Sequence, residues 1–561
     1  MSEEKPPAKA KWFKGPWVIH PLLVGAPAIL DYTYTNKTVI DVSQTLFPIG
    51  FTALVAAVIT LLLSLPLKSV ARAGLITSLL VIGFHHHGHV ASEWRIPMWV
   101  GIFAGCGFFA WFPWRLDMPT TFANIFAFIA LCFPGYPLVK YQYFQVNQPT
   151  IRPDYLEALP VNPTKSVLPN IYFILLDGYA REDILLSRYG AINPLNDELR
   201  TMGFFVVDGA YSNYAQTSVS IASILNLDYA SELIDMEDPD KAFYRLTFKR
   251  LIEGNRTTRA LRGAGYRIAT YPSEYSLAQL TDYDVAYAPL FYFTEYEYLL
   301  TNNTALLPAT KLLGLPKSRV QHAIRRHHIQ WVFDNLKAAE GQPTFTYVHL
   351  VAPHPPFVFE ADGSYRATEQ KFTFADGSSW LVTRGDSEED YAEGYLSQLE
   401  YMNRQLIPVL SNIISDDPQA AIFLLSDHGP GKGLSWSSKK KTDLLERLSI
   451  QLAVRLPGEQ YDDFDKSMTS INAFRVFLNQ SVGTNLPPLP DRSYYMKWSR
   501  PCRFVNVNKS LELAEEALLK AQKEESKVRD EGDVDAGMEV DVGIKELDHN
   551  NLLNPIHDGG G

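Results

Sequence analysis

Two stretches of this chain each end an apolar run on residues that can hold a cation. Asn170–Asp177 reads NIYFILLD before Gly178, and Ala421–Gly429 reads AIFLLSDHG, with Asp427 and His428 side by side before the glycine. A carboxylate in such a place either binds a cation or caps the next turn. Two ends of the same design favour a metal site. Between them lies Tyr211–Asn226, YSNYAQTSVSIASILN, in which Thr217 opens a run (Ser218, Ile221, Ala222, Leu225) with helical spacing. Ile221 and Leu225 follow Thr217 at steps of four, so Thr217 is expected to head the buried stripe and Ser218, turned about 100° from it, to point aside. A hydroxyl in a first helical turn sits near backbone N–H groups and the positive end of the helix dipole, which suits attack on an anionic phosphorus centre. The same position also suits a simple N-cap. His349 and His354, in HLVAPHPPF, follow the apolar stretch Phe345–Val348. They can bind a phosphate, protonate a leaving group, ligate a second metal or sit in a core; the PHPP turn favours a loop at a sheet edge.

The elements needed to present these residues are legible. Six bulky residues in a row, Ile171 to Leu176, read as a strand covered on both faces, as in a parallel sheet between helices. Open α/β sheets place their ligands at the carboxyl ends of such strands. From about 169 to 490 strand-like and helix-like stretches alternate, which predicts a doubly wound α/β domain with helices on both faces. The candidate strands are 171–176, 203–207, 266–270, 344–350, 421–426 and 450–455. A helix is expected over 390–414, with core positions at Tyr395, Leu399, Met402 and Leu406.

The composition is uneven along the 561 residues, so the net charge of −11 and the 46% apolar fraction average over unlike parts. Residues 1–140 are very apolar and hold about five membrane-length segments, near 17–34, 46–66, 71–90, 97–114 and 119–139. Phe51–Leu63 has no charge, whereas Pro21, Pro27 and Asp31 interrupt the first segment. The short core and cleavage site of a signal peptide are not evident. Lys5, Lys9, Lys11, Lys14, Lys68, Arg72 and Arg115 fall on one side, and only Lys37 and Arg95 in the opposite loops. The first side should be cytoplasmic, which sends everything after Lys140 to the outer face if the crossings number five. His85, His86, His87 and His89 end the third segment, as a metal cluster or as an outer-interface group. Residues 141–168 read as a linker, 169–495 as the extracytoplasmic domain and 505–561 as an acidic tail, with a short amphipathic helix at 509–525 before a disordered end.

There is no single basic face, so nucleic acid is excluded as a partner. Cys106 and Cys132 lie in membrane segments, leaving Cys502 alone outside and no disulfide framework for the outer domain.

The order LLDG, Thr at a helix start, HxxxxH and SDHG resembles the alkaline phosphatase/sulfatase superfamily. The membrane segments ahead of the domain resemble its membrane-bound branch, which contains lipoteichoic acid synthases and lipid A phosphoethanolamine transferases. The resemblance implies one divalent ion, Zn²⁺ or Mn²⁺, held by Asp177, Thr217, Asp427 and His428. It implies Thr217 as the nucleophile that takes a phospholipid headgroup, phosphoethanolamine or phosphoglycerol, and passes it to an envelope glycan or lipid. His349 and His354 match phosphate-contacting histidines, and the location implied is the bacterial cytoplasmic membrane. Three departures stand out: Asp177 replaces a frequent Glu, no Cys-x-Pro-x-Arg can form a sulfatase's formylglycine, and Lys432 and Lys439–Lys441 occupy the place of a further histidine. Lys432 or Arg447 is then a candidate phosphate contact. A phosphodiesterase or sulfate/phosphate ester hydrolase of the same superfamily is the alternative; a non-catalytic membrane scaffold would need a missing ligand.

Overall fold

The computed structural model describes residues 16–146 except 112 and 114, 151–236 except 158 and 162–167, 244–314, 319–532 except 367–369 and 371, and 545–546. Most of the predicted acidic tail and parts of the predicted linker lie outside the described residues. By internal contacts the chain forms two units: residues 1–148 with 299–314, and residues 149–298 with 315–561.

The first unit is helical: α1 (His20–Leu23), α2 (Ala26–Thr35), α3 (Leu46–Leu67), α4 (Val70–His86), α5 (Ser92–Trp111) and α6 (Asp117–Val146). The first predicted segment is two helices, not one. Pro21 and Pro27 each sit in a first helical turn, where a missing N–H costs nothing, so the sequence starts a helix twice. At the break a Cβ on Gly25 would lie 2.5 Å from the Thr52 side chain of α3, so only glycine fits. Two stretches, Val42–Leu67 and Asp117–Tyr143, are long and apolar enough to cross a membrane, with mean hydropathies of 2.4 and 1.8. Their outward positions, such as Leu54, Leu61, Phe122 and Ile125, are apolar. Leu299–Gly314 joins this unit through the end of α4: the Gly88 N–H donates to the Asn303 carbonyl and the Ala305 N–H to that of Phe84, both at 2.9 Å.

The second unit is built on a seven-stranded sheet of β1 (Ile171–Leu176), β2 (Phe205–Val206), β3 (Arg267–Tyr271), β4 (Val285–Ala286), β5 (Thr344–Leu350), β6 (Ala421–Leu425) and β7 (Leu452–Arg455), in the order β2-β7-β6-β1-β5-β3-β4. All six residues of β1 are buried, so both faces of the sheet are covered at its centre. β1 pairs in parallel with β5 and β6, placing Leu176 beside Leu350 and Leu175 beside Leu425. Their carboxyl ends therefore open at one edge. The sheet is mixed, since β7 runs antiparallel to β6. Phe173 packs against Tyr347, Phe423 and Phe474 with ring centroids 5.2–5.8 Å apart. The predicted 390–414 helix spans Glu388–Asp416 and buries Tyr395, Leu399, Met402 and Leu406. After the sheet come two elements the sequence did not announce in this form. A hairpin of β8 (Tyr494–Lys497) and β9 (Arg500–Asn506) buries Cys502, and the helix expected at 509–525 runs Asn508–Gly532.

Candidate metal centre and nucleophile

Asp177 follows β1 directly, and Asp427 and His428 follow β6 after Ser426. Their ligand atoms all lie within 4.8 Å of one another. His428 Nε2 is 3.1 Å from Asp427 Oδ2 and 3.6 Å from Asp177 Oδ1. Local backbone demands fix these ends. Gly178 turns the chain with φ +79°, and a Cβ on Gly429 would lie 1.9 Å from the Glu446 carbonyl. The Asp177 carbonyl accepts from the His354 N–H at 2.9 Å, stitching the β1 end to the loop after β5. The Asp427 carbonyl accepts from the hydroxyls of Ser212 and Ser220, which ties it to the segment around Thr217.

Thr217 is the first residue of α7 (Thr217–Asn226), with Gln216 as its N-cap residue. Every residue of this helix is buried, so a buried stripe does not single out Thr217 from Ser218, as the spacing suggested. Contact does: Thr217 Oγ1 lies 3.0 Å from His428 Nε2. The Nδ1–H of His428 donates to the Gly429 carbonyl at 3.0 Å, leaving Nε2 with its lone pair toward Thr217 and the two carboxylates.

Charge makes this cluster costly without a cation. Asp177 and Asp427 are 2% and 0% exposed, and Asp177 Oδ1 and Asp427 Oδ2 are buried with no hydrogen-bond partner. Burial and the neighbouring Asp177 push the Asp427 carboxyl well above its usual range. Burial alone would raise Asp177 too, but His354, His349 and His428 outweigh it and hold that carboxyl low. Burial, aided by Arg447, pushes His428 down to about 3, so its imidazole is neutral. Two unpaired carboxylate oxygens, a neutral imidazole and a hydroxyl form a fitting donor set for one divalent ion.

His349 and His354 differ in exposure and partners. His349 is buried, with Nε2 3.5 Å from Asp177 Oδ2 and Nδ1 2.8 Å from Ser273 Oγ. His354 is 11% exposed; its Nδ1–H donates to the Pro355 carbonyl at 2.6 Å, and its Nε2 is 3.9 Å from Asp376 Oδ2. The basic candidates have protein partners of their own or face solvent. Lys432 donates to the Arg188 carbonyl and covers the Tyr189 ring, and Lys440 and Lys441 are exposed. Arg447 is buried and fully engaged: Nη1 meets Asp376 Oδ2 at 2.7 Å and the Gly429 carbonyl at 3.0 Å, while Nε and Nη2 hold the Ala215 carbonyl.

Asp376 escaped the sequence reading. Its carboxylate accepts from Arg447 and from the Tyr391 hydroxyl at 2.9 Å, and a Cβ on Gly431 would strike it. Burial would raise it, but His354 and Arg447 outweigh that and keep it ionised. Asp376 thus links the loop carrying His354, the loop after His428 and, through Arg447, the residue two before Thr217. The only signal was an Asp-Gly pair with no strand before it. Ser273 was more accessible to inference, because it closely follows β3 at the same sheet edge.

The sequence matches the family described as Sulfatase over residues 169–477, more than half of the chain. No curated protein matches it. Among solved structures, the periplasmic domain of EcEptC from Escherichia coli is 10% identical with a TM-score of 0.38, covering 62% of this chain and 96% of that one. The integral membrane lipooligosaccharide phosphoethanolamine transferase A from Neisseria meningitidis is 11% identical, with a TM-score of 0.36 and coverage of 83% and 96%. The lipoteichoic acid synthase LtaP from Listeria monocytogenes is 12% identical, with a TM-score of 0.33 and coverage of 62% and 83%.

Proposed function

As this chain belongs to the sulfatase family, we propose that it is a membrane-anchored, metal-dependent phosphotransferase. It moves a phospholipid headgroup, phosphoethanolamine or phosphoglycerol, through Thr217 to an envelope glycan or lipid. The observation that carries this reading is the Thr217 hydroxyl, set at a helix start 3.0 Å from His428 and beside two buried carboxylates with unpaired oxygens. Asp177, Asp427, His428 and Thr217 would hold one Zn²⁺ or Mn²⁺. When bound, such an ion lowers the pKa of a ligating hydroxyl and polarises a phosphoryl oxygen.

The residues divide the remaining work. Thr217 Oγ gives up its proton to solvent and forms a bond to phosphorus as the bond from phosphorus to the diacylglycerol oxygen breaks. His354, the more exposed of the two histidines, is suited to give that oxygen its proton, and buried His349 to hold a phosphate oxygen. Arg447 holds the Ala215 carbonyl and Asp376 holds Arg447, so the pair fixes the approach to Thr217. An acceptor hydroxyl then bonds to phosphorus and returns its proton to His354, as the bond from phosphorus to Thr217 Oγ breaks and Oγ regains a proton from solvent.

The membrane-length helices in the same chain favour a lipid donor over a soluble ester. The lysine and arginine asymmetry supports a multi-pass protein of the bacterial cytoplasmic membrane with residues 169–495 outside. A reporter fused after residue 165 should be active only outside the cytoplasm.

The full chain in nanodiscs containing phosphatidylethanolamine or phosphatidylglycerol should release diacylglycerol when Mn²⁺ or Zn²⁺ is supplied. No diacylglycerol from either lipid, with turnover of aryl sulfate or phosphodiester instead, would favour the hydrolase reading that the family name also admits.

A further inference from the structure

Gln216, the residue before Thr217, is gripped by the β8–β9 hairpin: its Nε2 donates to the Lys497 carbonyl at 3.3 Å. The next hairpin residue is Trp498, 42% exposed, and its surroundings leave one face of the indole open. The guanidinium of Arg245, itself buried, covers the ring at 4.0 Å from its centroid. Trp436 meets it edge-on, with centroids 5.3 Å apart at 64°, and the Trp498 N–H donates to the Trp436 carbonyl at 3.2 Å. With one face against a buried cation, an exposure of 42% belongs to the opposite face and to the edges that Trp436 leaves uncovered.

Trp436 links this platform to the reaction centre. Its Nε1–H donates to the Asp376 carbonyl at 3.1 Å, and the Arg447 guanidinium that holds Ala215 lies over its ring. The two tryptophans are therefore fixed to the residues on which Thr217 and His354 depend. Beside them Gln216 Oε1 and Arg245 Nε are buried without hydrogen-bond partners, and no described carboxylate pairs with Arg245. An open indole face, with exposed Lys497, Ser499 and Arg500 as its chain neighbours, suits a flat ligand with an apolar face and a polar edge. A pyranose ring has that form: its axial C–H groups stack on the indole while its hydroxyls meet the polar neighbours. A lipid tail would leave the charged neighbours facing hydrocarbon.

We propose that the exposed face of Trp498 is a sugar subsite on which a pyranose ring of the acceptor stacks beside Thr217. This rests on the reading of the chain as a transferase to a glycan-bearing acceptor, and it names the part of the acceptor that is recognised.

The test reads binding rather than turnover. The full chain in phosphatidylcholine nanodiscs is titrated with the methyl glycosides of glucose and N-acetylglucosamine, followed by saturation-transfer NMR and tryptophan fluorescence. At least one glycoside should bind saturably, with strongest saturation on the C–H protons of one ring face. Trp498→Ala should weaken binding tenfold or more, and Trp498→Phe should keep it within about threefold. Binding by none, or equal binding by Trp498→Ala in a chain whose melting is unaltered, overturns the proposal. So does quenching of Trp498 by brominated lipid in the nanodisc, which makes it a membrane contact. Diacylglycerol release from the wild-type chain is measured separately, so failure of the transferase reading shows there and not in sugar binding.

Discussion

Two parts of this chain gather side chains that bind metals, and they have opposite characters. In the helical unit, His85, His86, His87 and His89 fall within five residues, yet His85 and His87 already have hydrogen-bond partners. His85 Nε2 lies 3.3 Å from the Thr52 hydroxyl, His87 Nδ1 accepts from the Trp99 indole at 3.1 Å, and the rings of His86 and His89 are 6.0 Å apart. In the sheet unit, Asp177 and the Asp427–His428 pair are 250 residues apart, yet they converge with two carboxylate oxygens left bare. Density of histidine along the sequence is thus a poor guide to a metal centre. Unpaired buried charge at the ends of adjacent parallel strands is a better one, because a bound cation removes its cost.

The contrast can be broken most severely at the nucleophile. Thr217→Ala should lower turnover on the order of 10⁴-fold or more, measured as diacylglycerol release, while the melting transition of the second unit stays close to wild type. Full turnover by this variant, or covalent phosphate on Ser218, would remove Thr217 from its role.

Next in size is the buried ion pair behind the site. Asp376→Asn leaves Arg447 buried without its counter-charge and should cost about 3–5 kcal/mol in denaturant unfolding, with lower kcat as Ala215 loses its anchor. Unchanged stability and kcat would make the Asp376–Arg447 link incidental.

Metal removal sharpens the comparison directly. At a free metal concentration 100 times its Kd, the sheet unit should gain about 2.7 kcal/mol in calorimetry, and Asp427→Asn should abolish the gain. Replacing His86 and His89 with Gln should leave it intact. A loss in that double variant would move the metal to the helical unit.

Acid gives a smaller, graded effect. Asp376 is held below its ordinary value of 3.8, chiefly by His354 and Arg447 working against burial. Its folded pKa is depressed, so the stability it adds is complete above about pH 4 and is lost as pH falls through the folded value. Stability measured against pH should fall less steeply in Asp376→Asn than in wild type. An identical slope would show that this carboxylate is not among the groups that titrate on acid unfolding.

Much of this site is legible in the sequence, for a physical reason. A central parallel strand must be apolar on both faces and must stop where a ligand sits, so Ile171–Leu176 and Ala421–Leu425 announce both their positions and the residues after them. The parts that stayed hidden depend on contacts rather than pattern. Asp376 lies in a loop without period, and its importance comes from Arg447, 71 residues on. β7 carries an ordinary apolar alternation that does not reveal its antiparallel direction. The break at Gly25 was half visible in Pro21 and Pro27, but the close approach of Thr52 that demands glycine was not. The stripe argument for Thr217 failed because α7 is buried all round, a circumstance set by the packing about it.

The most direct test of the account is zinc K-edge X-ray absorption on the zinc-loaded full chain, with metal content determined in parallel. One ion per chain is predicted, with one imidazole nitrogen among oxygen ligands at about 2.0–2.1 Å, and the imidazole signal should vanish in His428→Ala. A first shell of several imidazoles that survives in His428→Ala would place the ion among other histidines and contradict the assignment.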